Sequence, residues 1–291
     1  MKFPVRPRVT LVVFALAAGI GCSDESSSSV DSGMLPTVGD SRDGAVADGS
    51  APDLGTVARP VDAAQVDAAL VDAAPADAGS CIPKPPGVIG LWRGEGNAND
   101  SKGNNNLVAV GGVVGYAPGK IGQAFSMPKG SGYLELPTHV ADFELTTAYT
   151  LEAWVNVTAW GNRIIDHITE NVPNGYLLDT YPNTVRAFSG DITVSGTPAL
   201  TPAQLNTWVH LAAAFDGAAK TLTVYVNGVE RGKATVKSPA VTSPNHKLRI
   251  GASSNGTYRI NGLVDEVTIY NRALSAAEIL AVATGDGKCP E

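Results

Sequence analysis

TLTVYVNGVERG (residues 221–232) contains the clearest strand signal in the chain. Leu222, Val224 and Val226 occupy alternate positions, so in an extended strand they share one face. An Asn-Gly pair follows at once, and this pair readily adopts the two positive φ values of a type I′ turn. The segment therefore predicts a β-hairpin that buries one face in a hydrophobic core.

The rest of the globular part, residues 81–291, contains further segments of this kind. They are SGYLELP (131–137), YTLEAWVNV (149–157), TWVHLAAAF (207–215), KLRIGAS (247–253) and GLVDEVTIY (262–270). In the first, Leu134 and Leu136 form one face and Tyr133 and Glu135 the other, which is the pattern of a strand with one side buried. The number of short strands indicates an all-β fold.

One helix is convincing, because Ser275 and Glu278 form a capping box before the apolar run EILAVA. Short strands, frequent turn signals and one short C-terminal helix predict two antiparallel sheets packed as a jelly-roll sandwich. Residues 81–291 are enough for one such domain.

The chain begins with the pattern of an export signal. Basic residues precede an apolar run (9–20) that ends in small residues and Cys22. The run is shorter than the roughly 20 apolar residues that span a bilayer. A cysteine at this place resembles a bacterial lipoprotein signal (residues 1–22), although Gly19 stands where that family usually has Leu. The resemblance implies a lipid anchor on Cys22 in the cell envelope, with the outer membrane favoured; the alternative is an ordinary secretory signal and an extracellular protein.

Residues 23–80 have the composition of a disordered linker. They contain ten Asp and one Glu against two Arg, and no aromatic residue. A motif of the type VDAAQ repeats every five residues, a period that builds no apolar face on a helix or a strand. Since the chain carries −7, the linker −9 and the signal +3, residues 81–291 carry about −1. The globular part therefore has no basic excess for nucleic acid, and the linker is expected to act as a spacer or, less favoured, to dock a basic partner.

Cysteine usage fits an exported protein. If Cys22 carries lipid, Cys81 and Cys289 remain, and they stand at the two edges of the globular segment. A disulfide between them would close nearly the whole domain and stabilise it by roughly 5 kcal/mol at most. The alternative is two free thiols near the ends of the domain.

Five segments in order carry a resemblance to a known family. They are LWRGEGNANDSKGNNN (91–106), IGQAFSMPKGSGYLELP (121–137), TLEAWVNV (150–157), NTWVHLAAAFDGAAKTLTVYVNGV (206–229) and GLVDEVTIYNRALSAAEI (262–279). Over residues 87–283 the chain resembles a laminin-G-like domain of the concanavalin A-like lectin/glucanase superfamily. The resemblance implies a two-sheet jelly roll whose chain ends lie close together, which agrees with a Cys81–Cys289 bond.

The neighbouring carboxylates Asp265 and Glu266 invite an enzymatic interpretation. In a regular strand, neighbouring side chains point to opposite faces, so these two cannot act on one substrate atom. The same alternation places Asp265 with Leu263 and Val267. Related glucanases carry an E-x-D-x-x-E type motif on one strand, and Glu152 has no such partners. We therefore expect a protein that is not an enzyme.

The four histidines, the remaining candidates for chemistry, follow no metal-binding spacing. They are His139, His167, His210 and His246, and none lies at i, i+4 or beside a cysteine pair, so the sequence predicts no zinc site.

The family resemblance also implies one structural Ca²⁺. Many members hold one through an Asp on the last strand and oxygens of the N-terminal segment, which here are Asp265 and the region of Glu95. Calcium accepts six to eight oxygen ligands. The alternative is a calcium-free version in which Asp265 caps backbone N–H groups.

The segment 159–188 is rich in aromatic and polar residues and is expected to form loops. Related modules bind ligands on one sheet or its rim loops, which implies a ligand site here. The candidate residues are Trp160, Arg163, Asp166, His167, Tyr181 and Arg186. Two alternatives are that Trp160 fills an edge of the core and that Arg163–Asp166 is a surface ion pair.

These observations predict a non-catalytic cell-surface or secreted binding module whose ligand is a glycan. A protein-interaction or adhesion module is the alternative, and a glycan-active enzyme with an unrecognised site is weaker. This predicted function follows from analogy with the family, because one fold hosts many activities.

The calcium expectation has a direct test. If Asp265 holds a structural Ca²⁺, a chelator lowers the melting temperature by several degrees, because the ion stabilises only the folded state. An unchanged melting curve in a thermal scan would contradict a structural Ca²⁺.

Overall fold

The computed structural model describes residues 83–170, 172–190, 192–237 and 245–285. All of them fall in the second of two units, which runs from Ala69 to Glu291. The signal (1–22), the linker (23–80) and all three cysteines lie outside the described residues. Lipidation at Cys22 and a Cys81–Cys289 disulfide therefore stay predictions.

The described residues form fifteen strands and one α-helix. In chain order they are β1 (Val88–Trp92), β2 (Val108–Val110), β3 (Gly115–Pro118), β4 (Gln123–Met127), β5 (Tyr133–Glu135), β6 (Ala148–Val157), β7 (Arg163–His167), β8 (Tyr176–Asp179), β9 (Arg186–Ser189), β10 (Ile192–Ser195), β11 (Val209–Asp216), β12 (Thr221–Val226), β13 (Val229–Thr235), β14 (Arg249–Ile250), β15 (Gly262–Tyr270) and α1 (Ala276–Thr284). Two short 3-10 turns cover Ala141–Phe143 and Pro202–Gln204.

Two antiparallel sheets contain these strands, which confirms the predicted fold class. The eight-stranded sheet has the order β13-β12-β11-β6-β15-β4-β3, and β1 also pairs with β15. The seven-stranded sheet has the order β10-β9-β8-β7-β14-β5-β2. Alternate residues of both sheets, such as Leu151 and Val155 of β6 and Leu178 of β8, are buried in one hydrophobic core.

The hairpin of β12 and β13 forms as the sequence predicts. Leu222, Val224 and Val226 all lie in the core, and Asn227 and Gly228 have φ values of 49° and 76°. The positive φ at both positions matches the right-handed twist of the two strands.

The helix α1 covers part of the outer face of the eight-stranded sheet. Ser275 accepts a hydrogen bond from the Glu278 backbone N–H and closes the predicted capping box. Ile279 packs with Tyr225 and Tyr270 in a second apolar cluster. This packing buries outward-facing side chains of the sheet that would otherwise be exposed to solvent.

The strand β15 departs from regular alternation at the carboxylate pair. Asp265 pairs with Trp154 and Thr268 with Glu152, so β15 has one residue more than β6 between these pairs. Glu266 takes the extra position with φ of 50°, which is a β-bulge. The predicted grouping of Asp265 with Val267 is wrong, because the extra residue reverses the alternation.

Backbone donors hold this bulge in place. The Asp265 carboxylate accepts the N–H of Glu266 at 2.8 Å and the N–H of Ile121 at 2.9 Å. A Cβ on Gly119 would stand 2.6 Å from the same carboxylate, so only glycine leaves the room. Val264 and Val267 both reach the core as a result.

Two further expectations need correction. All of β5 is buried, including Tyr133 and Glu135, because Lys247 and Arg249 form ion pairs with Glu135 over its outer side. The segment 159–188, expected as loops, contains β7, β8 and the start of β9. These strands are short, and polar residues interrupt their apolar pattern.

Among the described residues, no helix combines the length and apolar character that a transmembrane span requires.

Removing the Asp265 carboxylate tests the bulge. We expect Asp265→Ala to lower the free energy of unfolding by about 2–4 kcal/mol, because one buried and one partly buried backbone N–H group lose their acceptor. Asp265→Asn keeps one acceptor oxygen and should cost less. Urea denaturation measures both, with the exposed Asp142→Ala as the control. Equal stability of Asp265→Ala and the control would contradict a structural role for the carboxylate.

Candidate ligand-binding site

The candidate site lies on the outer face of the seven-stranded sheet. On β8, Tyr176 and Leu178 face the core, while Leu177 and Asp179 face outward. On β9, Ala187 faces the core and its neighbours Arg186 and Phe188 are directed away from it. The period of two along each strand therefore places charged and apolar side chains side by side on the outer surface.

These outward side chains line a cavity of about 470 Å³. The lining residues are Arg163, Ile168, Glu170, Val172, Pro173, Leu177, Asp179, Tyr181, Arg186, Phe188, Thr193 and Tyr258. Its volume is in the range that small ligands occupy.

A buried carboxylate joins the two arginines of the cavity. Asp179 accepts a hydrogen bond from Arg163 Nη1 at 2.8 Å and one from Arg186 Nε at 2.9 Å. Arg186 Nη2 also donates to Asp179, so that pair is bidentate. Charge-assisted, two-point contacts of this kind fix the arginine planes. We call this group the Asp179 clamp.

Two tyrosines form the rim of the cavity. Tyr181 and Tyr258 are 43% and 46% exposed, and their rings meet edge to face with centroids 5.8 Å apart. The Arg186 guanidinium lies 4.9 Å from the centre of the Tyr181 ring, and that of Arg163 lies 5.6 Å from the Tyr258 ring. Each tyrosine is thus held by an arginine of the clamp while keeping exposed surface.

Asp166 lies behind the cavity and contacts Arg163. Its Oδ2 is 3.3 Å from Arg163 Nε, and both side chains are buried. The prediction of a surface ion pair is therefore wrong about burial. Burial raises the pKa of Asp166 to about 7, although the Arg163 guanidinium favours the ionised form.

The six residues predicted as a ligand site separate into three groups. Arg163, Tyr181 and Arg186 line the cavity, and Asp166 supports it from behind. Trp160 packs against the hydrophobic core, and its Nε1 donates to the Thr201 carbonyl, outside the cavity lining.

His167, the sixth predicted residue, also lies away from the cavity lining. It is buried against Tyr176, with the two rings stacked at 5.1 Å. Burial lowers the pKa of His167 to about 4, so its ring is neutral at neutral pH.

Sequence analysis missed three lining residues of chemical interest. Asp179 is the last residue of the segment YLLD. If this segment is assumed to be a strand, Asp179 lies on the face opposite to Leu178, and this alternation could have identified it from the sequence. Glu170 lies within the same segment and is 3.7 Å from Arg163. Tyr258 comes from a loop far along the chain, and only the fold brings it to the cavity.

A second charged cluster lies on the outer face of the eight-stranded sheet. Glu152 accepts hydrogen bonds from Lys84 at 2.8 Å and from Tyr270 at 2.8 Å, and His210 Nε2 is 3.3 Å away. Lys84 is also 3.8 Å from Glu266. Burial opposes ionisation of Glu152, but Lys84 and His210 outweigh it and lower the pKa to about 2.

The Glu152 cluster is a sealed ionic network. Its central carboxylate is fully buried, and the segment that carries Lys84 is fixed to the sheet where Arg272 Nε donates to the Pro86 carbonyl. A carboxylate that stays ionised and inaccessible does not serve as a general acid.

The residues implied for calcium contact backbone donors instead. Asp265 accepts from Glu266 and Ile121, and Glu95 Oε2 accepts from the Gln123 N–H at 3.3 Å. N–H groups suit an anion, whereas Ca²⁺ requires surrounding oxygens. These contacts are those of the calcium-free alternative. The calcium site stays a prediction that the chelator experiment decides.

The raised pKa of Asp166 predicts a pH-dependent stability. Its folded-state value of about 7 exceeds the ordinary 3.8, so its contribution is present below pH 3.8 and lost as pH rises through 7. Asp166→Asn cannot titrate there. The unfolding free energy of the variant relative to wild type should therefore rise by on the order of 2–4 kcal/mol from about pH 4.5 to 7.5. Urea denaturation at both values measures this, with Asp142→Asn as control; parallel curves for wild type and Asp166→Asn would contradict it.

Comparison with known proteins identifies the family of this fold. A family model described as the concanavalin A-like lectin/glucanases superfamily, a laminin G model, matches residues 128–280, just over half of the chain. No curated protein matches the sequence.

Several solved structures share the fold. Domain 4 of AbnA, a GH43 extracellular arabinanase from Geobacillus stearothermophilus, is 23% identical with a TM-score of 0.54, covering 68% of this chain and 98% of that one. The binding domain of Paraclostridial Mosquitocidal Protein 1 is 17% identical with a TM-score of 0.51, covering 67% and 52%. The binding domain of botulinum neurotoxin DC is 14% identical with a TM-score of 0.51, covering 68% and 51%. The chain spans about half the length of the two toxin domains.

The family model, the two antiparallel sheets and the order of the motifs agree with one another. The chain belongs to the concanavalin A-like lectin/glucanases superfamily, as a laminin G-like protein.

Proposed function

We propose that this protein is a non-catalytic binding module that recognises a glycan in the cavity bounded by Tyr181 and Tyr258. The observation that carries the proposal is the pair of exposed tyrosines above the Asp179 clamp. Sugar rings have apolar faces and hydroxyl edges, and this cavity offers aromatic surface beside fixed polar groups.

The rigidity of the rim favours binding. Arg186 and Arg163 lie against the two tyrosines and are themselves held by Asp179. A ligand that stacks on these rings therefore orders few side chains, which reduces the entropic cost of binding.

The charges in the cavity indicate the class of glycan. Arg163 and Arg186 are balanced by Asp179 and Glu170, and all four line the cavity. The remaining lining is apolar or uncharged, with Leu177 and Phe188 beside the clamp. A balanced set of donors and acceptors suits the hydroxyl groups of a neutral glycan better than a strongly acidic one.

The structural neighbours support this proposal by analogy. The GH43 arabinanase domain was solved with arabinotriose, and the neurotoxin DC binding domain with SialylT. A further neighbour concerns botulinum neurotoxin type C, whose cell entry depends on interaction with two ganglioside molecules. These likenesses are below 25% identity, so the proposal depends on the residues of the cavity.

A protein partner is the second candidate. Val172 is exposed at the cavity edge beside Pro173, which gives the rim an apolar side. The neurotoxin DC binding domain was also solved with rat synaptotagmin II. A partner protein would be expected to cover this apolar edge together with the two tyrosines.

An enzymatic role has one observation in its favour, because Glu170 and Asp179 both line the cavity. Both oxygens of Asp179 are occupied by arginine donors, however. A nucleophile or general base needs an oxygen that can reach the substrate. The geometry therefore favours binding over hydrolysis.

The proposed setting is the bacterial cell envelope. Lipid on Cys22 would retain the protein at a membrane, with the outer membrane favoured, and the acidic linker 23–80 would hold the binding domain away from the surface. Cleavage at an ordinary secretory signal would instead release it to the extracellular space.

A glycan array with the purified protein tests this proposal, followed by titration calorimetry on the best binder. We expect Tyr181→Ala and Tyr258→Ala each to weaken binding about 5–30-fold, since each removes about 1–2 kcal/mol of aromatic contact. Tyr116→Ala is the matched control, because Tyr116 is a partly exposed tyrosine on the other sheet.

The controls separate a site effect from loss of folding. All three tyrosine variants should show the wild-type circular dichroism spectrum. The absence of any glycan binder at high micromolar protein would overturn the glycan proposal in favour of a protein partner. A binder that Tyr181→Ala and Tyr258→Ala leave unaffected would show that this cavity is not its site.

A further inference from the structure

Two histidines and a glutamate converge on one point away from the candidate glycan cavity. Glu144 Oε1 lies 2.7 Å from His139 Nε2 and 3.8 Å from His167 Nε2. The three possible ligand atoms all lie within 4.8 Å of one another. Their chain spacing matches no metal-binding motif, so only the fold reveals this group.

Buried structure on two sides positions these ligands. His139 and Glu144 flank the 3-10 turn Ala141–Phe143, whose Phe143 side chain is buried in the core. Tyr176 donates a hydrogen bond to the Phe143 carbonyl at 2.9 Å and stacks on His167. One tyrosine thus holds both the turn and the ring of His167, which fixes the spacing between them.

The buried histidine is the most constrained of the three side chains. His167 is 1% exposed, and its Nε2 lies 3.8 Å from Glu144 Oε1, beyond hydrogen-bond length. Nε2 therefore stands close to the Glu144 carboxylate without a hydrogen bond to it, and an ion between the two would contact both atoms.

We propose that His139, Glu144 and His167 form a binding site for a divalent transition-metal ion of the zinc class. Zinc binds imidazole nitrogen and carboxylate oxygen at about 2.0–2.2 Å, so tetrahedral ligands stand about 3.3 Å apart. The observed 2.7 and 3.8 Å lie on either side of that value. Small side-chain rotations of the partly exposed His139 and Glu144 adjust both distances.

The ligand set separates this ion from calcium. Two imidazoles and one carboxylate favour Zn²⁺, Cu²⁺ or Ni²⁺, whereas Ca²⁺ and Mg²⁺ take oxygen ligands. Three protein ligands leave a fourth position of the ion for water or another ligand. Because His139 is exposed, that position is accessible from solvent.

Calorimetric titration of the full-length protein, first stripped with a chelator and then dialysed, tests the site. We expect one Zn²⁺ per chain with Kd at or below about 1 µM. A matching Co²⁺ complex should show the visible absorption of tetrahedral coordination, and excess Ca²⁺ should leave Zn²⁺ binding unchanged.

Variants assign the binding to these residues. His139→Ala and Glu144→Ala should each weaken Zn²⁺ binding at least about 10-fold, while Asp142→Asn, an exposed carboxylate on the same turn, should not. His139 is partly exposed, so its variant should keep the metal-free melting temperature. Absence of Zn²⁺ binding, or binding that both alanine variants leave intact, would overturn the proposal. Since this site shares no residue with the glycan cavity, glycan binding succeeds or fails independently.

Discussion

The extra residue at Glu266 is the constraint on which the central strand depends. Without the bulge, β15 could bury Val264 or Val267 in the core, but not both. The Asp265 carboxylate supports the bulge by accepting the backbone N–H of Glu266, and it ties the strand to the turn at Ile121. Because β15 pairs with β1, β4 and β6, the alternation of this one strand sets which side chains its neighbours must meet. A carboxylate pair that invites a catalytic interpretation is therefore explained by strand geometry.

The outer faces of the two sheets differ in exposure. The face of the eight-stranded sheet that contains β15 is partly covered, whereas the seven-stranded sheet has an accessible cavity. Beyond the bulge, Thr268 and Tyr270 point outward with Glu152, where Lys84 and α1 cover them. On the seven-stranded sheet, the described residues instead leave the cavity beside Tyr181 and Tyr258 accessible. The cavity thus lies on the sheet whose outer residues were hardest to interpret from sequence.

Much of the fold could be predicted because its signals are local. The Asn-Gly hairpin, the Ser275 capping box and the longer alternating strands depend on neighbouring residues only. The bulge could not be predicted, since one inserted residue leaves no periodic trace, and Glu266 takes its positive φ without being glycine. The strands β7, β8 and β9 were hidden because Arg163, Asp179 and Arg186 interrupt their apolar pattern. Arginine and tyrosine in one polar segment indicated part of the cavity, but Tyr258 reaches it only through folding.

The ion pairs around Glu152 and Asp179 are chemically similar but have different surroundings. Glu152 and Asp179 are both buried carboxylates paired with cationic side chains. Around Glu152 the partners come from the covering segment and from adjacent strands, so the network is closed. Around Asp179 one partner, Arg186, extends to the partly exposed rim and lies against an exposed tyrosine. The buried end fixes the arginine, and the exposed end presents it beside aromatic surface. A buried ion pair of this kind contributes less to stability than to the orientation of the side chains at the cavity rim.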